Sequence, residues 1–199
     1  MSSLKRSSVS LFAVLFVLCF AISALAQVDV PRPSQKASVM QRIGVTDVTI
    51  TYSRPGVKGR KIWGDPLPGQ SEVKGEATLD DQNKRPSDAV IVPYGHVWRT
   101  GANEATVFEV NKDVTINGKP LKAGKYGLYS IWNGDGWTVI FNKTWNQWGT
   151  EYSESDDALR VNVKNMPPSK PSEKLTFFVD KSGRVTLAWG NTGFDFTVN

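Results

Sequence analysis

Hydrophobic residues occupy every second position over much of this chain. Val48, Ile50 and Tyr52 alternate with threonines, and a period of two is typical of strands that bury one face and expose the other. Because the same alternation returns repeatedly towards the C-terminus, the pattern predicts an antiparallel β structure. The later runs span residues 159–163, 175–179, 185–189 and 194–198.

Two hairpins are predicted between shorter runs. Asn117-Gly118 lies between two brief apolar stretches, and this pair is a strong turn signal because both turn positions need a positive φ. A second turn, residues 133–136, joins Tyr126–Trp132 to Trp137–Asn142. These two strands are apolar on both faces, so we expect them at the centre of a sheet.

The pattern as a whole predicts an all-β fold, because no segment has a convincing amphipathic helical period. We expect about nine or ten strands in a single antiparallel β-sandwich over residues 36–199, either jelly-roll-like or a flattened barrel. Residues 66–89 break the alternation with a long polar stretch. We interpret them as a loop insertion that is either mobile or a functional lid.

The N-terminus has the features of a secretory signal peptide. Lys5 and Arg6 precede an apolar run that ends in Ala24-Leu25-Ala26, a small-x-small cleavage signal. The apolar run is shorter than the roughly 20 residues that span a bilayer, which favours cleavage over a membrane anchor. We therefore expect residues 1–26 to be removed, residues 27–35 to form a tether, and the protein to be periplasmic or secreted without a membrane span.

Cleavage would change the redox chemistry and the charge of the protein. It removes Cys19, the single cysteine, so the exported protein would have no disulfides. It also removes Lys5 and Arg6, which leaves 22 basic residues against 19 acidic ones and a net charge of +3. A charge this weak and scattered argues against nucleic acid as a partner. With one histidine and no mature cysteine, we expect no metal and no cofactor.

The stretch PYGHVWRTGANEAT, residues 93–106, concentrates groups that could contact a ligand. In an extended segment Trp98 and Arg99 point to opposite faces of the sheet. One interpretation is a structural corner in which Arg99 pairs with Glu104 and His96 caps a turn, while Asn103 either adopts a positive φ or bonds backbone amides that lack partners. The other is a binding site for a carboxylate, a phosphate or sugar hydroxyls, with Trp98 as its wall.

Two further stretches are candidates for binding. RPGVKGRKIWG interleaves basic residues, among them Arg60, with glycines that let a backbone approach an anion, although a solvated basic turn explains it as well. Trp145 and Trp148 are three residues apart in NKTWNQWG. They are interpreted either as an aromatic platform for a sugar ring or as loop anchors.

The sequence also contains five distinctive stretches: RPGVKGRKIWG, VPYGHVWRTGANEAT, LKAGKYGLYSIW, WTVIFNKTWNQWG and VTLAWGNTGFDFTV. Together they resemble the secreted bacterial family called domain of unknown function 2911, from about Lys36 to Val198. The resemblance implies an exported single-domain protein, found mainly in Bacteroidota and their relatives, and it implies no reaction. Residues 66–89 depart from it, because they look longer than the family's usual link at this place.

Three functional hypotheses follow from these observations. The leading one is a non-enzymatic module that binds a small polar or anionic ligand such as a glycan, a peptide end or a metabolite. The alternatives are a hydrolase or lyase acting on cell-wall or polysaccharide material, with Glu104 as acid or base, and an envelope scaffold. The oligomeric state stays open. The candidate ligand-binding residues are Arg99, Asn103, Glu104, Trp98, Arg60 and His96.

Overall fold

The computed structural model describes residues 31–65 and 89–199. The predicted signal peptide, residues 1–26, and all but the last residue of the predicted insertion, residues 66–89, lie outside the described residues. The described part contains fourteen strands, nine of which have five or more residues. In chain order they are β1 Gln35–Ile43, β2 Thr46–Arg54, β3 Trp63–Gly64, β4 Val92–Pro93, β5 Val97–Trp98, β6 Thr106–Val110, β7 Val114–Ile116, β8 Lys119–Leu121, β9 Gly124–Trp132, β10 Gly136–Asn142, β11 Asp157–Lys164, β12 Ser172–Val179, β13 Arg184–Gly190 and β14 Thr192–Thr197.

The larger sheet is built around the hairpin formed by β9 and β10. Its strands follow the order β1-β2-β6-β9-β10-β11, and the short strand β5 also pairs with β9, beyond the end of β6. Most residues of β9 and β10 are buried on both faces. The prediction that these doubly apolar strands are central is therefore confirmed.

The second sheet lies across the first and takes the order β12-β13-β14. The β7–β8 hairpin extends it, since Ile116 forms a bridge with Val198 and since Thr115 and Asn199 exchange two backbone hydrogen bonds of 2.7 and 3.0 Å. This second layer covers the inner face of the larger sheet. The two layers thus form a β-sandwich.

The core lies between the two layers and is rich in aromatic residues. The Phe196 ring of the second sheet contacts Phe108 and Phe141 of the first, with centroid distances of 6.0 and 5.6 Å. Tyr52 packs edge-on against Phe177 at 4.9 Å. Such edge-to-face pairs add about 0.5–1.5 kcal/mol each to the burial of apolar area. The predicted all-β sandwich is confirmed.

Three details differ from the alternation pattern. The strand count is higher, because five strands of two or three residues are too short to show a period. The edge strand β1 was not predicted from the alternation of hydrophobic residues, and its inward residues are only half-buried in the structure. The pair β3–β4 is parallel rather than antiparallel. No helix in the described part of the chain is long and apolar enough to cross a membrane.

Candidate functional site

One end of the sandwich opens into a cleft of 660 Å³. It is lined by the β2–β3 loop, the end of β9, the residue after β11, the start of β12 and the β13–β14 turn. Because strand ends from both sheets meet here, residues far apart in sequence form one wall. Its lining includes the polar or aromatic side chains of Arg60, Lys61, Trp63, Trp132, Asn165, Glu173 and Thr192.

The β2–β3 loop brings its basic residues to the cleft through a tight turn. Lys58 and Gly59 have φ angles of 49° and 69°, and Arg60 N donates to Val57 O at 3.0 Å. Glycine adopts this left-handed conformation without steric strain. The Arg60 guanidinium then folds back over the turn and donates to the carbonyl oxygens of Gly56 at 2.5 Å and Val57 at 3.2 Å.

The start of β12 holds this loop from the opposite sheet. Val57 N donates to Glu173 O at 2.8 Å, and Lys58 N donates to Glu173 Oε1 at 2.9 Å. The Arg54 guanidinium at the end of β2 donates to Leu175 O at 3.1 Å. These bonds tie the two walls of the cleft together, so the position of the loop is determined by both sheets.

Beneath the cleft lies a cluster of five tryptophans with Trp63 at its centre. The Trp63 ring centroid is 5.2 Å from that of Trp137, 5.6 Å from those of Trp98 and Trp189, and 6.0 Å from that of Trp132. Trp98 stacks on Trp189 at 5.6 Å and is 1 % exposed. The cluster forms a rigid floor, because large aromatic rings in mutual contact have few alternative rotamers.

The indole N–H groups of this cluster divide into two kinds. Trp98 Nε1 donates to a backbone carbonyl, and Trp137 Nε1 donates to an asparagine side chain. Those of Trp63, Trp132 and Trp189 are buried and have no acceptor among the described residues. An unbonded buried donor costs about 1–3 kcal/mol. Trp63 and Trp132 line the cleft, so two of these unbonded donors belong to side chains of its wall.

Gly190 in the β13–β14 turn lies beside one of these donors. Its φ is +60°, and a Cβ added to it would lie 3.5 Å from Trp63 Nε1, the nearest atom among the described residues. A glycine therefore fits the left-handed turn and places no side chain against the indole nitrogen.

The polar wall of the cleft is ordered by Asn165. Its Oδ1 accepts from Trp137 Nε1 at 3.3 Å and from the Thr192 hydroxyl. Because both acceptor positions of this oxygen are used, the orientation of the side-chain amide is determined. The Nδ2 group has no acceptor among the described residues and is therefore available as a donor in the cleft.

The described lining of the cleft carries a surplus of positive charge. Arg60 and Lys61 line it together with one carboxylate, Glu173, and neither cation forms an ion pair with any residue that the structure describes. The described residues also include no group of three or more His, Cys, Asp or Glu side chains placed to hold a metal ion. The arrangement is suited to an anionic or strongly hydrogen-bonding small molecule.

The WRTGANEAT stretch forms a tightly packed corner. Thr100 and Asn103 have φ angles of 52° and 62°, and Asn103 Nδ2 donates to Ser34 O and Ser53 Oγ, both at 3.2 Å. Thr106 Oγ1 donates to Thr100 O at 3.0 Å. A Cβ on Gly101 would lie 2.7 Å from Thr106 Oγ1, so the chain approaches itself closely here. The prediction that Asn103 has a positive φ is confirmed.

Arg99 is buried on the outer face of the larger sheet, opposite to Trp98. It is 5 % exposed, and the 143–156 connection covers it so closely that a Cβ on Gly149 would lie 2.1 Å from Arg99 Cδ. Burial lowers the pKa of Arg99 to about 10, although Tyr129 and Glu104 oppose the shift. Burial also raises the pKa of Tyr129, which lies fully buried beneath the same loop. The predicted opposition of Trp98 and Arg99 is confirmed.

A family model described as a protein of unknown function, DUF2911, matches residues 34–198. The chain belongs to this family. The resemblance inferred from the five sequence stretches is thus confirmed over nearly the same range. No curated protein and no solved structure matches the chain significantly.

In this DUF2911 chain the predicted binding residues lie in three places. Arg60, Trp98, Arg99 and Asn103 line a small cavity of 160 Å³. Arg60 also lines the 660 Å³ cleft, so it connects the predicted corner with the larger opening. Four of the six residues thus border one space that is too small for most ligands, although the side chains of Trp98 and Arg99 lie on opposite faces of the sheet.

Glu104 and His96 are not among the described residues that line this cavity. Glu104 lines a separate groove of 190 Å³ beside Trp145, and it is the one carboxylate among the described residues of that groove. Glycoside hydrolysis generally uses a pair of carboxylates. The His96 ring donates from Nδ1 to Tyr94 O at 2.9 Å, as a turn cap does. The roles of all six residues in binding remain predictions.

Sequence reasoning identified the RPGVKGRKIWG loop but missed most of the cleft around it. Trp63, Trp132, Asn165 and Thr192 come from four separate elements, and no motif links them. The surplus of tryptophans is a usable signal, yet the sequence points to Trp98 and to the pair Trp145 and Trp148 rather than to Trp63 and Trp132. Trp145 lies outside the cleft. Its ring is half-buried, and Lys125 Nζ covers it at 5.1 Å from the centroid.

Proposed function

We propose that this protein is a non-enzymatic binding module that acts outside the cytoplasm and holds a small anionic, polar ligand in the cleft at the end of the sandwich. The observation that carries the proposal is the pair of buried indole donors, Trp63 and Trp132, in the wall of a cleft that also presents Arg60 and Lys61. The export of the protein rests on the signal-like sequence of residues 1–26.

The size of the cleft supports a small ligand. Its volume of 660 Å³ lies within the roughly 300–1,000 Å³ that is typical of small-molecule sites. The separate 160 Å³ cavity at the WRTGANEAT corner is smaller than this range. We therefore assign the ligand to the end cleft, with Arg60 as the residue shared by both spaces.

The chemistry of the wall supports an anion with several acceptors. Arg60 and Lys61 attract negative charge. The Asn165 amide and the indole N–H groups of Trp63 and Trp132 are donors that lack acceptors among the described residues. A ligand that places oxygen atoms near these donors gains hydrogen bonds and relieves the cost of leaving them unbonded.

The experiment is an NMR titration of the indole signals. The chain has seven tryptophans, so ¹⁵N-labelled protein gives one indole signal for each, assigned with Trp63→Phe and Trp132→Phe. The probes are glucuronate, glucose 6-phosphate, citrate and glycylglycine at millimolar concentrations. We expect at least one probe to shift the Trp63 and Trp132 signals in a saturable way, because a new acceptor changes the environment of both N–H groups.

The signals of Trp145 and Trp148 are internal controls, because both residues belong to the connection on the outer face of the larger sheet. Lys61→Gln is expected to weaken binding, since it removes a cation from the cleft. The proposal is wrong if none of the four probes produces a saturable shift at Trp63 and Trp132, or if the shifts appear only at Trp145 and Trp148.

A further inference from the structure

The formal charge of the cleft indicates how much charge its ligand carries. Among the described lining residues, Arg60 and Lys61 contribute two positive charges and Glu173 contributes one negative charge, which leaves a formal charge of +1. The Arg60 guanidinium is also bonded to the carbonyl oxygens of Gly56 and Val57, which already satisfy part of its donor set. A single carboxylate therefore matches this charge better than a phosphate dianion does.

The uncharged part of the wall indicates the rest of the ligand. Trp132 is half-buried and lines the cleft. Its ring contacts the Tyr94 ring in a T-shaped arrangement with 6.2 Å between the centroids. An indole surface of this kind packs against the C–H face of a pyranose ring. Ser172, Thr192 and the Asn165 amide add short, uncharged hydrogen-bonding groups of the type that contacts sugar hydroxyls.

From this combination, and resting on the proposed function, we infer that the ligand is an acidic sugar, a pyranose that carries one carboxylate. The carboxylate lies at Arg60 and Lys61, the ring packs on Trp132, and hydroxyl groups accept from Trp63 Nε1 and Asn165 Nδ2. Gly190 borders the Trp63 nitrogen without adding a side chain to this part of the wall. This inference specifies a chemical class that the proposed function leaves open.

The test compares probes that differ in one feature each. Glucuronate is the acidic sugar, glucuronamide is its uncharged counterpart, glucose 6-phosphate carries the dianion, and acetate carries the carboxylate without the ring. Dissociation constants are measured from the Trp63 and Trp132 indole signals. We expect glucuronate to bind at least about tenfold more tightly than glucuronamide, because a charge-assisted contact is lost in the amide. We expect acetate to bind more weakly than glucuronate.

Two lysine variants localise the charge effect. Lys61→Gln is expected to bring the ratio of the dissociation constants of glucuronamide and glucuronate close to one. Lys181→Gln is the matched control: Lys181 is an exposed lysine in the β12–β13 turn, at the opposite end of β12 from Ser172. It is expected to leave this ratio unchanged. Trp132→Ala is expected to weaken the binding of glucuronate and of glucuronamide by the same factor, because it removes the contact with the sugar ring and leaves the cations of the cleft in place.

Every result decides for or against the acidic sugar. The inference of an acidic sugar is wrong if glucose 6-phosphate binds more tightly than glucuronate, or if acetate or glucuronamide binds as tightly as glucuronate. The proposed binding function stands in these cases. If Lys181→Gln removes the preference as Lys61→Gln does, the carboxylate does not lie in this cleft, and the inference is also wrong. If no probe of either panel shifts Trp63 and Trp132, the proposed function fails together with the inference.

Discussion

Two basic side chains of this domain, Arg99 and Lys61, lie in very different surroundings. Lys61 is exposed and lies at the rim of the large cleft. Arg99 is buried against Gly149, and burial lowers its pKa to about 10. The aliphatic part of Arg99 packs closely against the backbone, which leaves the desolvated guanidinium little freedom to meet a ligand. We therefore regard Arg99 as a packing residue of the corner and Lys61 as the cation that a ligand meets.

We predict that Arg99→Ala lowers the free energy of unfolding by about 2–4 kcal/mol, because it leaves a cavity under Gly149. Arg99→Met should retain most of the stability, since the contact with Gly149 is made by the aliphatic part of the side chain. Urea denaturation measures both effects. Binding in the cleft should stay within about twofold of the wild-type value in Arg99→Met.

Two outcomes would contradict this view of Arg99. Equal destabilisation by Arg99→Ala and Arg99→Met would show that the charge, rather than the packing, stabilises the corner. Loss of ligand binding in a folded Arg99→Met protein would place the site at the WRTGANEAT corner, as the sequence interpretation first suggested.

At the scale of elements, the hairpins differ in how much their turns depend on glycine. Gly183, between β12 and β13, has a φ of +85°, and a Cβ there would lie 2.1 Å from Val198 O. Val198 N donates to Gly183 O at 2.8 Å, so the turn cannot move away without losing that bond. Gly118, between β7 and β8, has a φ of +82° with no atom within 4 Å of the added Cβ.

We predict that Gly118→Ala costs about 1 kcal/mol, the strain of a left-handed non-glycine residue. Gly183→Ala should cost at least about 2 kcal/mol more, because the clash with Val198 O adds to the same strain. Thermal and urea unfolding of the two variants give the comparison. Equal losses would mean that the C-terminal strand adjusts freely around position 183.

At the scale of the whole molecule, the cleft exists because two sheets end at the same place. The β2–β3 loop belongs to one layer, the start of β12 and the β13–β14 turn belong to the other, and hydrogen bonds from Val57 and Lys58 to Glu173 join them. Loops carried by a rigid sandwich commonly hold the binding residues of β proteins. A ligand in this cleft would contact both layers and stabilise their association.

We predict that the exported protein begins at Gln27, because Ala24 and Ala26 form the cleavage signal. Expression in a bacterial host, fractionation and mass spectrometry of the intact protein test this. Replacing both alanines with phenylalanine should leave an uncleaved precursor. Ala89 is not a suitable position for a control alanine-to-phenylalanine substitution, because it is buried in the domain. A wild-type protein that stays in the cytoplasm at full length would contradict the prediction.

Much of the fold could be predicted because alternation is a local property of the chain. Residues 185–189 reveal a strand wherever they lie, and Asn117-Gly118 specifies its turn without reference to the rest of the molecule. The short strands β3, β4 and β5 could not be predicted, since two residues show no period. The parallel pairing of β3 with β4 depends on the packing of distant segments.

The amino-acid sequence by itself determined the sandwich, its central hairpin and its family, because periodicity, turn chemistry and motif similarity need only neighbouring residues. Tertiary structure alone decided which groups share a cleft. It buried Trp98 and Arg99 on opposite faces of one sheet and gathered Trp63, Trp132 and Asn165 from separate elements. Side chains that meet only where two sheets end leave no pattern in a linear sequence, because their distances are set by the packing of the layers.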